Sequence, residues 1–373
     1  MANSQLHFFL DFSKAFDLVN HSLLLQKLSA YKLSDPSLKW FESYLSNRQQ
    51  VISNGQVLSK YNTVLTGVPQ GSVLRPILFL LFINDLPLCS TFSKSDLFAD
   101  DSTIHYSDVS TTSIQHKLQF DLDQISAWCS RNKMHINISK TNAMLIGSRF
   151  RLLHSSGFNL SLNDTILKQV SSQKLLGVHI DNSLTWDIHI EKLCGSVAQR
   201  ITLLSLLSKY LPRPSLVLYF TSYILPLFDY GCIIWGSTST RNLDRLNKLL
   251  KRAARIILRA DFYTPSSVLF STLNWLTVEQ RIIYHKVIMV YKSLNNLSPD
   301  YISDLLTYRS QTTNRQLRST SNFNLHVPRF NTNYFQNSFQ VSSALLWNNL
   351  PSEIRNAASL AIFKSSLRDF LCN

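Results

Sequence analysis

The sequence predicts an α+β protein, and three patterns carry that prediction. Short apolar strands alternate with helices over about the first 180 residues; from about 190 onward the pattern is mostly helical, punctuated by Pro212, Pro214, Pro226 and Pro265; and 45% hydrophobic against 16% charged residues fits well-filled cores rather than disorder. At 373 residues the chain has room for two or three domains. We divide it into residues 1–190, where strands and helices mix, a helical region at 191–307, and a C-terminal part at 308–373. In that last part a polar stretch rich in Asn, Ser, Thr and Arg, 308–340, leads into an end segment at 345–371. No tandem repeat is present.

Residues 7–10 read as a short strand ending on Asp11, and the next helix starts near Asn20 and carries Leu24, Leu25 and Leu28. A second helix begins with Asp35 as cap and Pro36 in the first turn, then repeats Leu38, Phe41 and Leu45 at helical spacing until Asn47. Residues 50–66 alternate apolar and polar around Asn54-Gly55, a hairpin signal. Gly67-Val68-Pro69-Gln70-Gly71 is a turn into an apolar helix at 72–84. Residues 97–98 and 103–106 flank the turn Ala99-Asp100-Asp101 as another hairpin. Ile114, Leu118, Leu122, Ile125 and Cys129 recur every three or four residues, which makes 112–130 an amphipathic helix, and 143–146 reads as a strand.

Charge narrows the partner. Thirty-seven Lys+Arg against 23 Asp+Glu leave +14, of which +8 lies in residues 191–260, and such an excess favours a polyanion, most simply nucleic acid. Within it, RNLDRLNKLLKRAARIILRA (241–260) spaces Arg241, Arg245, Lys248, Arg252, Arg255 and Arg259 four, three, four, three and four apart, one stripe of a helix. Leu243, Leu246, Leu250, Ala253 and Ile257 line the opposite face. A solvated surface face normally mixes signs, and only Asp244 breaks this one. A membrane surface is the competing use of a basic amphipathic helix, but the apolar face lacks Trp and Phe, so packing is the better reading. Lys251-Arg252 with Arg255 is too short a run for a nuclear-localisation signal.

Five widely spaced cysteines without a Cys-x-x-Cys pair give neither a disulfide framework nor a zinc knuckle. The N-terminus lacks a secretory apolar region, and the longest apolar stretches, 77–83 and 216–228, fall short of the roughly 18–20 residues of a membrane span. The expected setting is a reducing intracellular compartment, nucleus and/or cytoplasm, without secretion or membrane insertion.

An Asp-Asp pair in a turn is usually an ordinary surface loop. Here Asp100-Asp101 lies between apolar runs, which would place it at the tip of a buried hairpin, where two carboxylates without a cation repel and resist desolvation. Asp11 ends another apolar strand. Three carboxylates at strand ends and turns suit hard divalent cations, because Mg²⁺ takes oxygen ligands. Two such ions, about 3.5–4 Å apart, activate a hydroxyl nucleophile and stabilise the leaving group of an in-line displacement.

In that order, FLDFSKAFDLVNH, GVPQGSVLRPILFLLFINDLP and LFADD resemble motifs A, B and C of the reverse transcriptases of LINE-like (non-LTR) retrotransposons, of the jockey-like kind. NKMHINISKTNAMLIG resembles motif D, KLLGVHIDNSLTW the primer-grip region, and ALLWNNLPSEIRNAASLAIFKSSLRDFL the C-terminal part of such polymerases, so the likeness covers nearly the whole chain. It implies a palm, a mixed sheet flanked by helices, in 1–190, a helical thumb in 191–307 and a C-terminal helical segment beyond. The implied activity is RNA-directed DNA synthesis from dNTPs on an RNA template and a DNA primer, with two Mg²⁺ ions, Mn²⁺ as a substitute, and no obligate protein partner. Asp11, Asp100 and Asp101 are the implied metal ligands, Asp101 the less direct. Phe16, five residues after Asp11, is the implied steric gate under the sugar, the alternative being a core phenylalanine. Gln70 and Gly71 form the implied turn against the incoming nucleotide and template, where glycine lets backbone approach closely. Lys140 is the implied acid toward pyrophosphate, with a solvated surface lysine as its alternative. The basic helix would follow the template–primer backbone. Asp17 and Asp85 lie in these motifs as structural residues.

Two departures from the family pattern raise expectations of their own. The chain begins ten residues before Asp11, so the fingers and an endonuclease are expected to be missing, the edge of the palm at the Asp11 strand to be exposed, and independent polymerase activity to be impaired. Arg75 stands in GSVLRP where the family has glycine; a cation there either crowds the template or points outward. A non-catalytic nucleic-acid-binding remnant is therefore the second functional reading. A group II intron or telomerase-like polymerase is a third, without the flanking segments those families carry.

Overall fold

A computed structural model describes residues 4–154, 157–312 and 323–372, so part of the polar stretch, 313–322, lies outside the described residues. The chain divides into two compact units, residues 1–184 and 185–373.

In the first unit five strands form one sheet: β1 (Ser4–Leu10), β2 (Lys94–Phe98), β3 (Asp101–Asp108), β4 (Asn142–Ile146) and β5 (Lys168–Gln169). Their order is β5-β4-β1-β3-β2. β1 runs antiparallel to both β3 and β4, while β5 lies parallel on β4, which makes the sheet mixed. The Asp11 strand is therefore interior. The expectation that its edge would be exposed is overturned, because the strand following the NKMHINISKT segment returns along the side that would otherwise be open. The edges fall instead on β2 and on the two-residue β5.

One face of the sheet packs on α1 (His21–Ala30), α2 (Asp35–Leu45), α3 (Leu74–Ile83) and α4 (Thr111–Arg131). Leu6, Phe8 and Leu10 point into this layer at the two-residue period of a strand, and Leu24, Leu28, Phe79, Phe82, Ile114, Leu118, Leu122 and Ile125 meet them, all nearly inaccessible. At about 1.5–3 kcal/mol for each fully buried large apolar side chain, this layer is what holds the sheet. Asn20 caps α1 through its side chain, which accepts from the Leu23 N–H at 3.1 Å. The cap of α2 falls on Ser34, leaving Asp35 as the first helical residue and Pro36 the second. In the hairpin at Ser53–Asn54 and Val57–Leu58, Asn54 pairs with Val57, so the turn is Gly55-Gln56, one residue beyond the expected pair, with Gly55 at φ +63°.

The second unit is helical: α5 (Asp187–Leu207), α6 (Thr240–Leu258), α7 (Val278–Leu294), α8 (Phe339–Asn348) and α9 (Leu360–Cys372) are its long members. Between α5 and α6 the helix Arg213–Tyr219 widens into a π turn, Phe220–Ile224, just before Pro226. Proline has no N–H to give and its ring crowds the carbonyl one turn back, which accounts for the change of hydrogen-bond pattern there. Thr277 and Gln280 form a reciprocal capping box at the start of α7. α7 then packs with α8 and α9 around Val287, Val290, Tyr291, Ala344, Trp347, Phe363 and Leu367. The end segment thus shares a core with the helical region.

Candidate active site

The three aspartates belong to neighbouring strand ends. β1 and β3 pair with Leu10 opposite Ser102, so the next residue of one strand, Asp11, comes beside the preceding residue of the other, Asp101. Phe98 pairs with Asp101 across a two-residue turn, Ala99-Asp100, and Ala99 takes a left-handed φ of +53° to close it. Two anchors hold these pieces. On α4 the fully buried Asp121 accepts from the Thr91, Phe92 and Ser93 N–H groups at 2.8, 3.0 and 2.7 Å and from Ser93 Oγ at 2.7 Å, which fixes the entry to β2. Behind Asp11, the Asn137 N–H donates to its carbonyl at 2.7 Å, its own N–H donates to the buried Thr141 Oγ1 at 3.3 Å, and the Ser13 N–H donates to the His135 carbonyl at 2.8 Å. Lys140 is exposed in the turn that Asn137 and Thr141 close, one residue from the side chain that pins Asp11.

Asp11 is half-buried; Asp100 and Asp101 are exposed. The hairpin's stem is buried, with Ser102, Thr103 and Ile104 below 6% exposure, but its carboxylates reach solvent, in contrast to the buried tip expected. Even so, partial burial, then Asp100, then Asp11 push the Asp101 carboxyl above its ordinary range. No basic side chain lies within ion-pair distance of any of the three among the described residues. An oxygen-only, anionic, uncompensated donor set fits a hard divalent cation. Among the described residues, however, no three such side chains already stand at coordinating separations, so an ion would have to pull them together.

Phe16 lies in a short helical turn at Ala15–Asp17, its ring 4.3 Å from that of Phe79 on α3. Arg75 does not project outward into solvent. Its guanidinium lies 4.9 Å from the Phe16 ring centroid and donates to Asp17 Oδ1 at 3.1 Å. The motif A and motif B segments are also tied through backbone, the Gly67 N–H donating to the Val19 carbonyl at 2.8 Å and the Val68 N–H to the Phe16 carbonyl at 3.1 Å. Close backbone approach occurs at Gly67, where an added Cβ would sit 2.9 Å from Asp17 Cα and φ is +87°. At Gly71 nothing lies within 4 Å of such a Cβ, and what favours glycine is its φ of +79°. Gln70 is exposed beside it. Gln70, Arg75, Lys14, Asp17 and Arg48 line a cleft of about 950 Å³. Asp85, the other motif aspartate, pairs with Lys27 at 2.6 Å.

In the second unit α6 places Arg241, Arg245, Lys248 and Arg252 exposed and Arg255 half-buried along one face. None has a carboxylate partner among the described residues. Leu246, Leu250, Ala253, Ala254 and Ile257 are buried on the other. Arg259 leaves the stripe: it ends the helix at φ +51° and its guanidinium donates to the Ser208 carbonyl at 3.0 Å. Sequence reasoning missed Asn242, which is buried and donates to Asp187 Oδ1 at 2.7 Å and Thr238 Oγ1 at 2.9 Å, orienting α6 on the start of α5. It also missed Thr141, Asp121 and Gly67. Asp121 left a trace as an acid on the apolar face of the 112–130 repeat, and Gly67 reads only as the start of a turn.

Residues 1–180 match the model of the reverse transcriptase (RNA-dependent DNA polymerase) family. The chain is 31% identical over 290 residues to a probable RNA-directed DNA polymerase from transposon BS and 30% identical over 285 residues to that from transposon X-element, both of Drosophila melanogaster, each alignment covering 74% of this chain. It is 28% identical over 268 residues, 68% of the chain, to the RNA-directed DNA polymerase from mobile element jockey of the same fly. It spans about a third of the length of these relatives, 31%, 31% and 28%. Telomerase from Candida albicans, solved with a fragment of telomeric RNA, aligns over 80% of this chain and 49% of its own at 10% identity and a TM-score of 0.33, too distant to argue from.

Proposed function

We propose, from the premise that this chain belongs to the reverse transcriptases of LINE-like (non-LTR) transposons, that its first unit carries an RNA-directed DNA polymerase site centred on Asp11, Asp100 and Asp101. The observation that carries the proposal is the β1–β3 register, which sets Asp11 beside the Asp100-Asp101 turn with no basic side chain to neutralise them. These carboxylates would hold Mg²⁺, or Mn²⁺ in its place. Bound there, the pair of ions would supply the charge that activates the primer 3′-hydroxyl and stabilises pyrophosphate.

The chain's own residues do the rest. The Asn137–Thr141 turn keeps the Asp11 backbone in place and presents Lys140 as the proton donor to the leaving group. The Phe16 ring, braced by Phe79 and Arg75, would stand beneath the sugar of an incoming dNTP and reject a 2′-hydroxyl by volume. Gln70 and Gly71 supply polar and unhindered backbone surface toward nucleotide and template. Arg241, Arg245, Lys248, Arg252 and Arg255 would neutralise phosphates of the RNA–DNA duplex, a sequence-independent and salt-sensitive grip, while Arg259 serves the helix end. We place the palm in 1–190, the thumb in 191–307 and a C-terminal segment in 308–373, and the working compartment inside the cell.

Purified chain should extend a DNA primer on an RNA template with dNTPs only when Mg²⁺ or Mn²⁺ is added, and Asp100→Ala should abolish extension. Equal extension by wild type and variant would overturn the catalytic reading. The second reading is a nucleic-acid-binding remnant without turnover. It is favoured by an unpaired basic stripe together with carboxylates that stand wider apart than a bound ion requires. It expects no extension, duplex binding that survives Asp100→Ala, and loss of that binding on charge reversal at Arg245, Arg252 and Arg255.

A further inference from the structure

The basic stripe of α6 ends in exposed aromatic rings. Beyond the Arg259 helix end, the Thr264 N–H donates to the Asp261 carbonyl at 3.1 Å, and this turn carries Phe262 and Tyr263. They are 77% and 91% exposed and meet edge to face with centroids 5.6 Å apart. The Arg255 guanidinium stands 5.4 Å from the Phe262 ring centroid, so the last cation of the stripe is also the support of the first ring. The Arg259 bond to the Ser208 carbonyl ties the end of α5 to this helix end.

Large rings this open next to unpaired cations mark an interaction surface. A duplex hides the faces of its bases and presents phosphate, for which the stripe alone suffices. Exposed ring faces beside a phosphate-binding track suit unpaired bases instead, because every base has a face to stack and the contact needs no sequence readout. A lipid surface would need an apolar helix face to enter it, and the apolar face of α6 is buried in its own unit.

We propose that Phe262 and Tyr263 form a stacking platform for the unpaired bases of a single nucleic-acid strand whose phosphates run onto Arg252 and Arg255. This rests on the nucleic-acid reading of α6 and extends it from paired to unpaired segments.

Fluorescence anisotropy of the full chain separates the two readings with two labelled probes, a blunt RNA–DNA hybrid and the same hybrid carrying an overhang of about four unpaired nucleotides. Wild type should bind the overhang probe more tightly. Phe262→Ala combined with Tyr263→Ala should weaken that probe by at least roughly 5- to 150-fold, from about 1–3 kcal/mol for the loss of one stacked base. The blunt probe and the salt dependence of binding should be unchanged, since no phosphate contact is lost. The thermal melt should also be unchanged, both rings being exposed, and Tyr263→Phe should bind like wild type. Equal wild-type affinity for both probes, or an alanine pair that leaves the overhang advantage intact, overturns the proposal. So does an alanine pair that loses co-sedimentation with phosphatidylserine vesicles while keeping the overhang advantage. Arg245→Glu with Arg252→Glu is the separate control: if it weakens neither probe, the nucleic-acid reading of α6 itself falls, whatever the aromatic variants do.

Discussion

Arg75→Gly restores the residue that the family pattern has, and the structure gives its cost. Three contributions go. The ion pair to Asp17 is made by an Arg side chain 18% exposed and an Asp side chain 64% exposed, so it is discounted to about 0.2–1 kcal/mol for solvent screening. The guanidinium over the Phe16 ring adds about 0.5–2 kcal/mol, toward the upper end because the cation is largely desolvated. Glycine near the start of α3 adds roughly 0.5–1 kcal/mol of lost helix propensity. Arg75 Nη1 is buried without a hydrogen-bond partner, so its removal relieves a cost and trims the upper end of that sum. The net expectation is a loss of about 1–3.5 kcal/mol, which at roughly 2–4 °C per kcal/mol for a unit of this size lowers the melting point by about 2–14 °C. Asp17→Asn should cost only the ion-pair share, about 0.2–1 kcal/mol. Arg75→Lys, which keeps charge but not a planar stack, should fall between. Thermal and urea denaturation of the full chain, followed at the first unit's transition, measure all three. If Arg75→Gly melts with wild type, the guanidinium does not brace Phe16 and the account of that ring's placement fails.

Thr141→Val removes a buried hydroxyl at nearly constant shape; the Asp11 N–H loses its acceptor while the Asn137 carbonyl keeps two other donors, so a loss of about 1–2 kcal/mol is expected, with Thr141→Ser near wild type by urea titration. Asp101→Asn should stabilise. Its carboxyl is raised by partial burial, Asp100 and Asp11, so the charged form is disfavoured in the folded state, and stability from this group grows as pH falls through the raised value. The asparagine advantage should therefore be present at pH 7, vanish below about pH 3–4 where the unfolded carboxyl is also protonated, and shrink on adding Mg²⁺, all read from melts across pH. Asp121→Ala leaves four donors at the entry to β2 without their buried acceptor and should cost about 3–5 kcal/mol by denaturant titration; a cost under 1 kcal/mol would contradict the anchoring role. Gly67→Ala puts a methyl 2.9 Å from Asp17 backbone at positive φ, so expression or melting should fall by at least about 2 kcal/mol, whereas Gly71→Ala, with open space and only the φ penalty, should cost about 1 kcal/mol.

The elements along the chain were legible in the sequence because their signals are local. The apolar run at 7–10, the helical repeat of 112–130 and the cation stripe of 241–259 each depend on residues a turn or two apart; the observed strand starts three residues earlier, at Ser4, and the helix boundaries differ by a residue or two. The family was legible from ordered motifs for the same reason. What the local signals could not carry was who meets whom. That β1 is covered on both sides, that Thr141 and Asp121 hold the strand ends bearing the aspartates, and that Gly67 rather than Gly71 takes the close backbone contact are pairings across 28 to 141 residues.

Arg75 shows the division most sharply. Its chemistry and its departure from the pattern are visible in one letter, but its effect depends on a ring and a carboxylate 59 and 58 positions earlier. By itself the sequence determined the α+β class, the family, the amphipathic faces and the residue types available for metal and phosphate. Only the tertiary structure decided which of those groups share a site, because hydrogen bonds, ion pairs and desolvation act over a few ångströms of space and take no account of separation along the chain.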